Sequence, residues 1–115
     1  MKAKIYHNPR CSKSRATLAL LAAHDVDLDI VEYLNNPPDI SEIKELLRLL
    51  NMEPRTLIRA GEAAFKESGL SLDSAPDELI ALMGREPIVI ERPIVVIGDA
   101  ARIGRPPERV LELIA

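Results

Sequence analysis

The chain contains a single cysteine, Cys11, whose sequence context favours a reactive thiol. The preceding residues, His7-Asn8-Pro9-Arg10, are typical of a loop, and the Ala- and Leu-rich segment that follows is typical of a helix. Cys11 is therefore predicted at a helix N-terminus, where unpaired N–H groups and the positive end of the helix dipole stabilise a thiolate. The thiolate is the nucleophilic form of cysteine. The alternative is a small, inert core residue, as many free cysteines are.

Charged and polar residues surround this cysteine in the sequence. Basic side chains lie within a few residues of it, at Arg10, Lys13 and Arg15. Ser14 could donate a hydrogen bond to the sulfur, and His7 could add a second donor or a charge from the same loop. We therefore predict Cys11 as the nucleophile, with His7 and Ser14 as further catalytic residues. The alternatives are an ordinary loop histidine and a merely solvated Lys13.

The features that favour a thiolate also favour anion binding. Free N–H groups at a helix start, with the side chains of Arg15 and Ser14, would surround a tetrahedral oxyanion. Three more arginines stand in apolar or Gly- and Pro-containing contexts, at Arg59, Arg92 and Arg105. The planar guanidinium suits oxyanions, although each arginine could instead be a surface residue or a carboxylate partner. Spacing alone does not show whether the three meet.

Composition and charge limit the classes of protein to which this chain can belong. Of 115 residues, 47% are hydrophobic and 29% charged, which predicts one globular domain over residues 1–115. One cysteine excludes an intramolecular disulfide, and with two histidines it leaves too few ligands for a structural zinc site, so we expect no metal. A net charge of -3 disfavours direct nucleic-acid binding. Without an apolar signal core in Met1–Arg10 or a run of about 20 apolar residues, we expect a cytoplasmic protein that binds no membrane.

The elements that would position these residues begin with a β-α-β segment. Strands are predicted over Lys2–Tyr6 and around Leu28–Tyr33, with a helix over Ser12–Ala23 between them. Two strands joined through a helix favour parallel pairing. The predicted apolar face of this helix comprises Ala16, Leu18, Leu21 and Ala22.

Helices and then a β-β-α segment follow. Asp39 and Glu42 have capping-box spacing before the helical positions Ile43, Leu46, Leu47 and Leu50. A second helix is predicted over Ala60–Ser68, and a third between a Ser74 cap and Gly84. Residues 93–97 then form a β-branched strand, and Gly98-Asp99 suits a two-residue turn. The return strand is predicted to begin at Arg102-Ile103, before a short helix that opens at Pro106-Pro107.

Four short segments, in order, resemble the ArsC-type arsenate reductases that work with glutathione and glutaredoxin. They are residues 7–15 (HNPRCSKSR), 57–59 (LIR), 91–96 (ERPIVV) and 103–108 (IGRPPE). The resemblance covers nearly the whole chain, and within the family the loop is similar to that of the YfgD-like branch. It implies a thioredoxin-like α/β fold, with β-α-β and β-β-α halves around a mixed sheet and a helical insertion at about residues 39–84.

The resemblance also implies roles for individual residues. Cys11 matches the catalytic thiol, and His7 and Ser14 match residues that tune its thiolate. Pro93 matches the cis-proline that faces the active site in thioredoxin-like folds, and X–Pro bonds are the ones that tolerate the cis form. The arginines that hold the oxyanion and its covalent adducts are matched by Arg59, Arg92 and Arg105.

The implied reaction reduces arsenate to arsenite without a bound cofactor. The Cys11 thiolate attacks arsenic(V) and expels water, glutathione attacks as co-substrate, and arsenite leaves. Cys11 is then a mixed disulfide, which glutaredoxin clears by thiol exchange. An enzyme with one cysteine cannot resolve its own disulfide, so composition alone requires an external thiol.

Two alternatives to this function stay open. Ser12-Lys13 stands where better-characterised members carry Gly-Thr, which motivates a thiol redox enzyme acting on another oxyanion or on glutathionylated protein. The other alternative is an Spx-type regulator, which shares the fold and binds RNA polymerase. That group generally lacks the Gly-Arg-Pro element found here at residues 104–106 and the His-Asn-Pro start at 7–9, so the sequence favours the enzyme.

Overall fold

The structure, a computed structural model, describes residues 1–114. The chain divides into two compact units. The sheet unit contains residues 1–36 and the chain from residue 92 onward, and the helical unit contains residues 37–91. In sequence, the helical unit corresponds to the helical insertion predicted at about residues 39–84.

The sheet unit has the predicted element order, β-α-β followed by β-β-α. Its elements are β1 (Lys2–His7), α1 (Ser12–Ala22), β2 (Asp27–Glu32), β3 (Ile94–Ile97), β4 (Ala100–Ile103) and a 3-10 helix (Pro107–Leu113). The strand order is β2-β1-β3-β4. Strands β1 and β2 pair in parallel, whereas β1–β3 and β3–β4 are antiparallel, so the predicted mixed sheet is confirmed.

The core of the sheet unit joins the two central strands to α1 and the 3-10 helix. Its fully buried members are Ala3, Ile5, Leu21, Val95 and Val110. The alternation of Ala3 and Ile5 places both on one face of β1. Because β1 is anchored in this core, the loop that follows it and carries Cys11 starts from a rigid support.

The predicted apolar face of α1 is right for Leu21, which is fully buried, and for Leu18, which packs against the core, but wrong for Ala16 and Ala22. Ala16 and Ala22 are exposed, whereas Ser14, Thr17 and Leu21 are buried. The physical reason is that the first half of the helix buries two hydroxyls with hydrogen-bond partners inside the protein, and a satisfied hydroxyl can occupy an interior position. The first half of α1 therefore buries polar side chains near Cys11 rather than apolar core residues.

The β3–β4 hairpin has the predicted two-residue turn at Gly98-Asp99. Gly98 adopts φ +59°, a left-handed conformation that favours glycine. The return strand begins at Ala100, two residues earlier than the predicted start at Arg102, because Ala100 already pairs with Ile97.

The helical unit contains four α-helices within its described residues. They are α2 (Ile40–Leu50), α3 (Pro54–Leu57), α4 (Ala63–Glu67) and α5 (Pro76–Arg85), followed by a 3-10 turn (Pro87–Val89). Asp39 caps α2 as predicted, since its carboxylate accepts the Glu42 N–H at 2.8 Å. The predicted Ser74 cap of α5 is wrong: Ala75 occupies that position, and the Ser74 hydroxyl accepts the Ser71 N–H. Gly84 lies within α5 rather than at its end.

Candidate active site

Cys11 occupies the position immediately before the first turn of α1. Its backbone is extended, with φ −94° and ψ 123°, and its N–H donates to the Asn8 carbonyl at 3.0 Å. Its own carbonyl accepts the Arg15 N–H at 2.9 Å, the first hydrogen bond of the helix. This geometry leaves the N–H groups of Lys13 and Ser14 to donate to the sulfur. The predicted placement of the thiol at a helix N-terminus is confirmed.

Two arginine side chains from the other half of the sheet unit reach the same sulfur. Arg105 Nη1 lies 3.7 Å from Cys11 Sγ, and the Arg92 side chain also hydrogen-bonds the sulfur. Arg105 Nη1 further donates to the Arg92 carbonyl at 3.1 Å, which joins the two arginine segments. The structure therefore brings two of the three predicted arginines to the thiol.

The net electrostatic effect favours the Cys11 thiolate. Burial is the largest single influence and raises the pKa of the thiol. Hydrogen bonds from the Ser14 N–H, the Arg92 and Arg105 side chains and the Lys13 N–H together outweigh burial, so the pKa lies below its ordinary value. The inert core cysteine, the alternative left open by the sequence, does not fit a partly exposed thiol with four such donors.

This lowered pKa predicts a specific pH dependence of thiol reactivity. We expect the rate of iodoacetamide alkylation to rise with a midpoint below the ordinary cysteine pKa of about 8.5. The folded pKa lies below the unfolded value, so the thiolate stabilises the fold above the unfolded pKa, and this contribution is lost as pH falls through the folded pKa. Alkylation measured from pH 5 to 10 on folded and urea-unfolded protein checks the prediction, and equal midpoints in the two states would contradict it.

His7 and Ser14 form a buried pair behind the loop. His7 Nδ1 lies 2.7 Å from Ser14 Oγ, which also accepts the Asn8 N–H at 3.0 Å. Burial, the largest influence, and the charge of Arg15 lower the pKa of His7, whereas Glu32 raises it, and the balance favours a neutral ring. A neutral ring with its proton on Nε2 lets the Ser14 hydroxyl donate to Nδ1 while its oxygen accepts from Asn8. Ser14 donates to the sulfur as predicted, but through its backbone N–H, because its hydroxyl is engaged with His7 and Asn8.

Replacing Ser14 by alanine is expected to destabilise the fold. The change leaves the buried His7 ring and the Asn8 N–H without this partner, so we expect the free energy of unfolding to fall by about 1–3 kcal/mol. Urea denaturation monitored by circular dichroism measures the loss. Ser12→Ala, two residues earlier in the chain, removes an exposed hydroxyl and is the matched control. Its free energy of unfolding is expected to change by less than about 0.5 kcal/mol. Equal stabilities of the two variants would remove the structural role assigned to Ser14.

Arg15 is placed on the loop rather than at the sulfur. Its Nη1 donates to the Pro9 carbonyl at 2.9 Å, and the residue is exposed. The contact closes the loop from Pro9 to the first turn of α1, so the structure gives Arg15 a part in holding the loop. Its predicted contact with an oxyanion stays a prediction.

Arg59 lies in the helical unit, between two carboxylates. Its Nη1 is 2.7 Å from Glu91 Oε1, and its Nε is 3.3 Å from Glu62 Oε1. Burial is the largest influence and lowers the pKa of Arg59, but both carboxylates raise it and prevail. This arginine is therefore a carboxylate partner, the alternative left open by the sequence. Its role toward an oxyanion stays a prediction.

Prolines and a glycine set the backbone of the two segments that carry Arg92 and Arg105. The Arg92–Pro93 peptide bond is cis, as predicted for Pro93, and the Arg105–Pro106 bond is cis as well. The Gly104 N–H donates to the Pro93 carbonyl at 2.9 Å, which ties the two arginine segments together at the backbone. Gly104, part of the Gly-Arg-Pro element, and the buried Thr17 that faces it are not among the predicted site residues.

The chain is similar to several known proteins. The family model that matches residues 6–113 is the ArsC family. Similar curated proteins include the uncharacterised protein YfgD of Escherichia coli K12, 50% identical over 96% of this chain and 95% of that protein. An arsenate reductase of Neisseria meningitidis is 41% identical over 93% of each chain. The solved structure of an arsenate reductase from Vibrio cholerae matches with a TM-score of 0.88 and 46% identity, covering 97% of each chain.

Proposed function

This chain belongs to the ArsC family, and on that premise we propose that it is an arsenate reductase whose nucleophile is Cys11. The proposal rests on the group of hydrogen-bond donors that surrounds the Cys11 sulfur. Two backbone N–H groups and two arginine side chains converge on it, in a chain with no second cysteine. Such a group of donors stabilises a thiolate and, beside it, the negative charge of a bound oxyanion.

The first step is attack of the Cys11 thiolate on arsenic(V). A sulfur–arsenic bond forms, and one arsenate oxygen leaves as water after taking up protons. The charge on the remaining arsenate oxygens stays next to Arg92 and Arg105, whose guanidinium groups cannot lose their protons. Because both arginines already contact the sulfur, they would stabilise the adduct without moving far.

The second step transfers two electrons from sulfur to arsenic. Glutathione thiolate attacks the Cys11 sulfur, and the sulfur–arsenic bond breaks with its electron pair remaining on arsenic, which leaves as arsenite. Cys11 and glutathione are then joined by a disulfide. Glutaredoxin thiolate attacks the glutathione sulfur and restores the Cys11 thiolate, with the proton balance carried by solvent. The proposal needs no bound cofactor and assigns the reaction to the reducing cytoplasm.

Two features of the structure favour this function over the alternatives. The Ser12-Lys13 departure from the better-characterised pattern affects two exposed side chains, whereas the sulfur is contacted by the Lys13 backbone N–H, which every residue except proline supplies. The Gly-Arg-Pro element at residues 104–106 delivers Arg105 to the sulfur, which a polymerase-binding role does not require.

A coupled assay tests the proposal. Reduced protein is incubated with arsenate, glutathione, glutaredoxin and NADPH with glutathione reductase, and NADPH oxidation is followed. We expect turnover that depends on arsenate and on each thiol component. Folded, reduced protein that shows no turnover at millimolar arsenate would refute it. The same preparation assayed with glutathionylated peptide tests the alternative redox substrate.

A further inference from the structure

A close contact between α1 and the segment before Arg105 lies outside the catalytic group. Gly104 is buried and faces Thr17, which is fully buried on the second turn of α1. The Thr17 hydroxyl donates to the Lys13 carbonyl at 2.8 Å and lies 3.5 Å from the Gly104 carbonyl. A residue on the helix that carries Cys11 thus touches the segment that carries Arg105.

The contact leaves no room for a side chain at Gly104. A Cβ atom built there would overlap Thr17 Oγ1, approach Pro93 Cγ to 2.9 Å and approach Thr17 Cγ2 to 3.1 Å. Neither neighbour can move aside easily, because the Thr17 rotamer is held by its hydrogen bond and the proline ring is rigid. The Gly104 backbone would have to shift instead.

We propose that Thr17 and Gly104 are positioning residues for Arg105: their contact sets how closely the Arg105 guanidinium approaches the Cys11 sulfur. Arg105 follows Gly104 directly, and its Nη1 reaches both the Arg92 carbonyl at 3.1 Å and Cys11 Sγ at 3.7 Å. A backbone displacement of a few tenths of an ångström at Gly104 is passed to this guanidinium. The inference rests on the proposed function for its catalytic meaning, but the contact acts on the thiol whatever the substrate.

The test is a double-mutant cycle read out by thiol ionisation. In Gly104→Ala we expect the midpoint of iodoacetamide alkylation to rise, equivalent to a roughly threefold to tenfold loss of thiolate at a fixed pH, since a charge-assisted contact is weakened. Thr17→Ala removes two of the three overlapping atoms. The double variant Thr17→Ala/Gly104→Ala is therefore expected to recover at least half of the shift.

Two controls separate positioning from loss of stability. Gly84→Ala places a Cβ at ordinary contact distances of 3.8 Å or more, so it should leave the midpoint unchanged. Leu21→Ala removes a buried side chain of α1 away from the sulfur and should lower stability without moving the midpoint.

Two results in the Gly104→Ala variants would overturn the inference. A midpoint in Gly104→Ala equal to that of the parent, or no recovery in the double variant, would overturn it. Should Gly104→Ala fail to fold, recovery of folding in the double variant supports the contact, and failure to recover contradicts it. Alkylation requires no arsenate, so these results stand apart from the coupled assay, whose failure would refute only the proposed function.

Discussion

Cys11→Ser is expected to abolish arsenate reduction, with a loss of at least about a thousandfold in the rate constant kcat. His7 would not serve as a base for a serine hydroxyl at this position, because its Nδ1 is engaged with Ser14. The four donors that lower the thiol pKa do not bring a serine hydroxyl near ionisation at neutral pH. The coupled assay with arsenate, glutathione and glutaredoxin measures this loss.

The same variant is expected to fold normally. Cys11 is partly exposed and the replacement is nearly isosteric, so the free energy of unfolding should change by about 0.5 kcal/mol or less at pH 6. Ser12→Ala, an exposed change at the neighbouring residue, serves as the activity control and should keep full turnover. Retention of more than a few per cent of the activity in Cys11→Ser would show that another group acts as the nucleophile.

Arg92→Ala is expected to reduce kcat/KM for arsenate by about 10²–10³-fold, the typical effect of losing one donor to a developing oxyanion. Arg92 is buried, with 8% of the residue exposed, and its side chain hydrogen-bonds the Cys11 sulfur. Removing this side chain therefore weakens both the thiolate and the adduct. We also expect the alkylation midpoint of Cys11 to rise, because a donor that lowers the thiol pKa is lost. The coupled assay and the alkylation profile together measure the two effects.

Two further variants make the role of Arg92 specific. Arg92→Lys keeps the charge but loses the planar fork, and an intermediate activity is expected. Arg102→Ala is the matched control, since Arg102 lies on β4 and pairs with Glu112 at 2.8 Å near the surface, and it should leave turnover unchanged. If Arg92→Ala is largely unfolded and its folded fraction keeps full activity, the assigned role is wrong.

The position of the nucleophile could be predicted from the sequence because it depends on local signals. Asn8 and Pro9 mark a loop, the residues after Cys11 form a helix, and a helix N-terminus has the same electrostatic character in any fold. The Gly98-Asp99 turn was predictable for a similar reason, since the left-handed conformation at Gly98 favours glycine. Each of these features is decided by residues adjacent in the chain.

The parts that the sequence did not reveal depend on contacts between distant residues. Thr17 was not expected in the interior, because its burial requires Gly104, 87 residues away in the chain, to lie beside it. The two carboxylates on Arg59 are of the same kind, although the three-residue spacing from Arg59 to Glu62 is a signal that could have been used for one of them. Contacts of this sort follow from packing, which no local pattern specifies.

In the proposed mechanism the Cys11 sulfur is the atom that exchanges electrons with arsenic. A glutathione adduct on this sulfur, detected in the mass of the intact protein, tests that role most directly. Reduced protein is incubated with arsenate and glutathione but without glutaredoxin, quenched in acid and weighed by mass spectrometry. We predict one added glutathione per chain, located on Cys11 by peptide mapping, present only when arsenate is supplied and removed when glutaredoxin is added. An unmodified Cys11 after arsenite has been released, or a glutathione adduct that forms equally without arsenate, would contradict the mechanism.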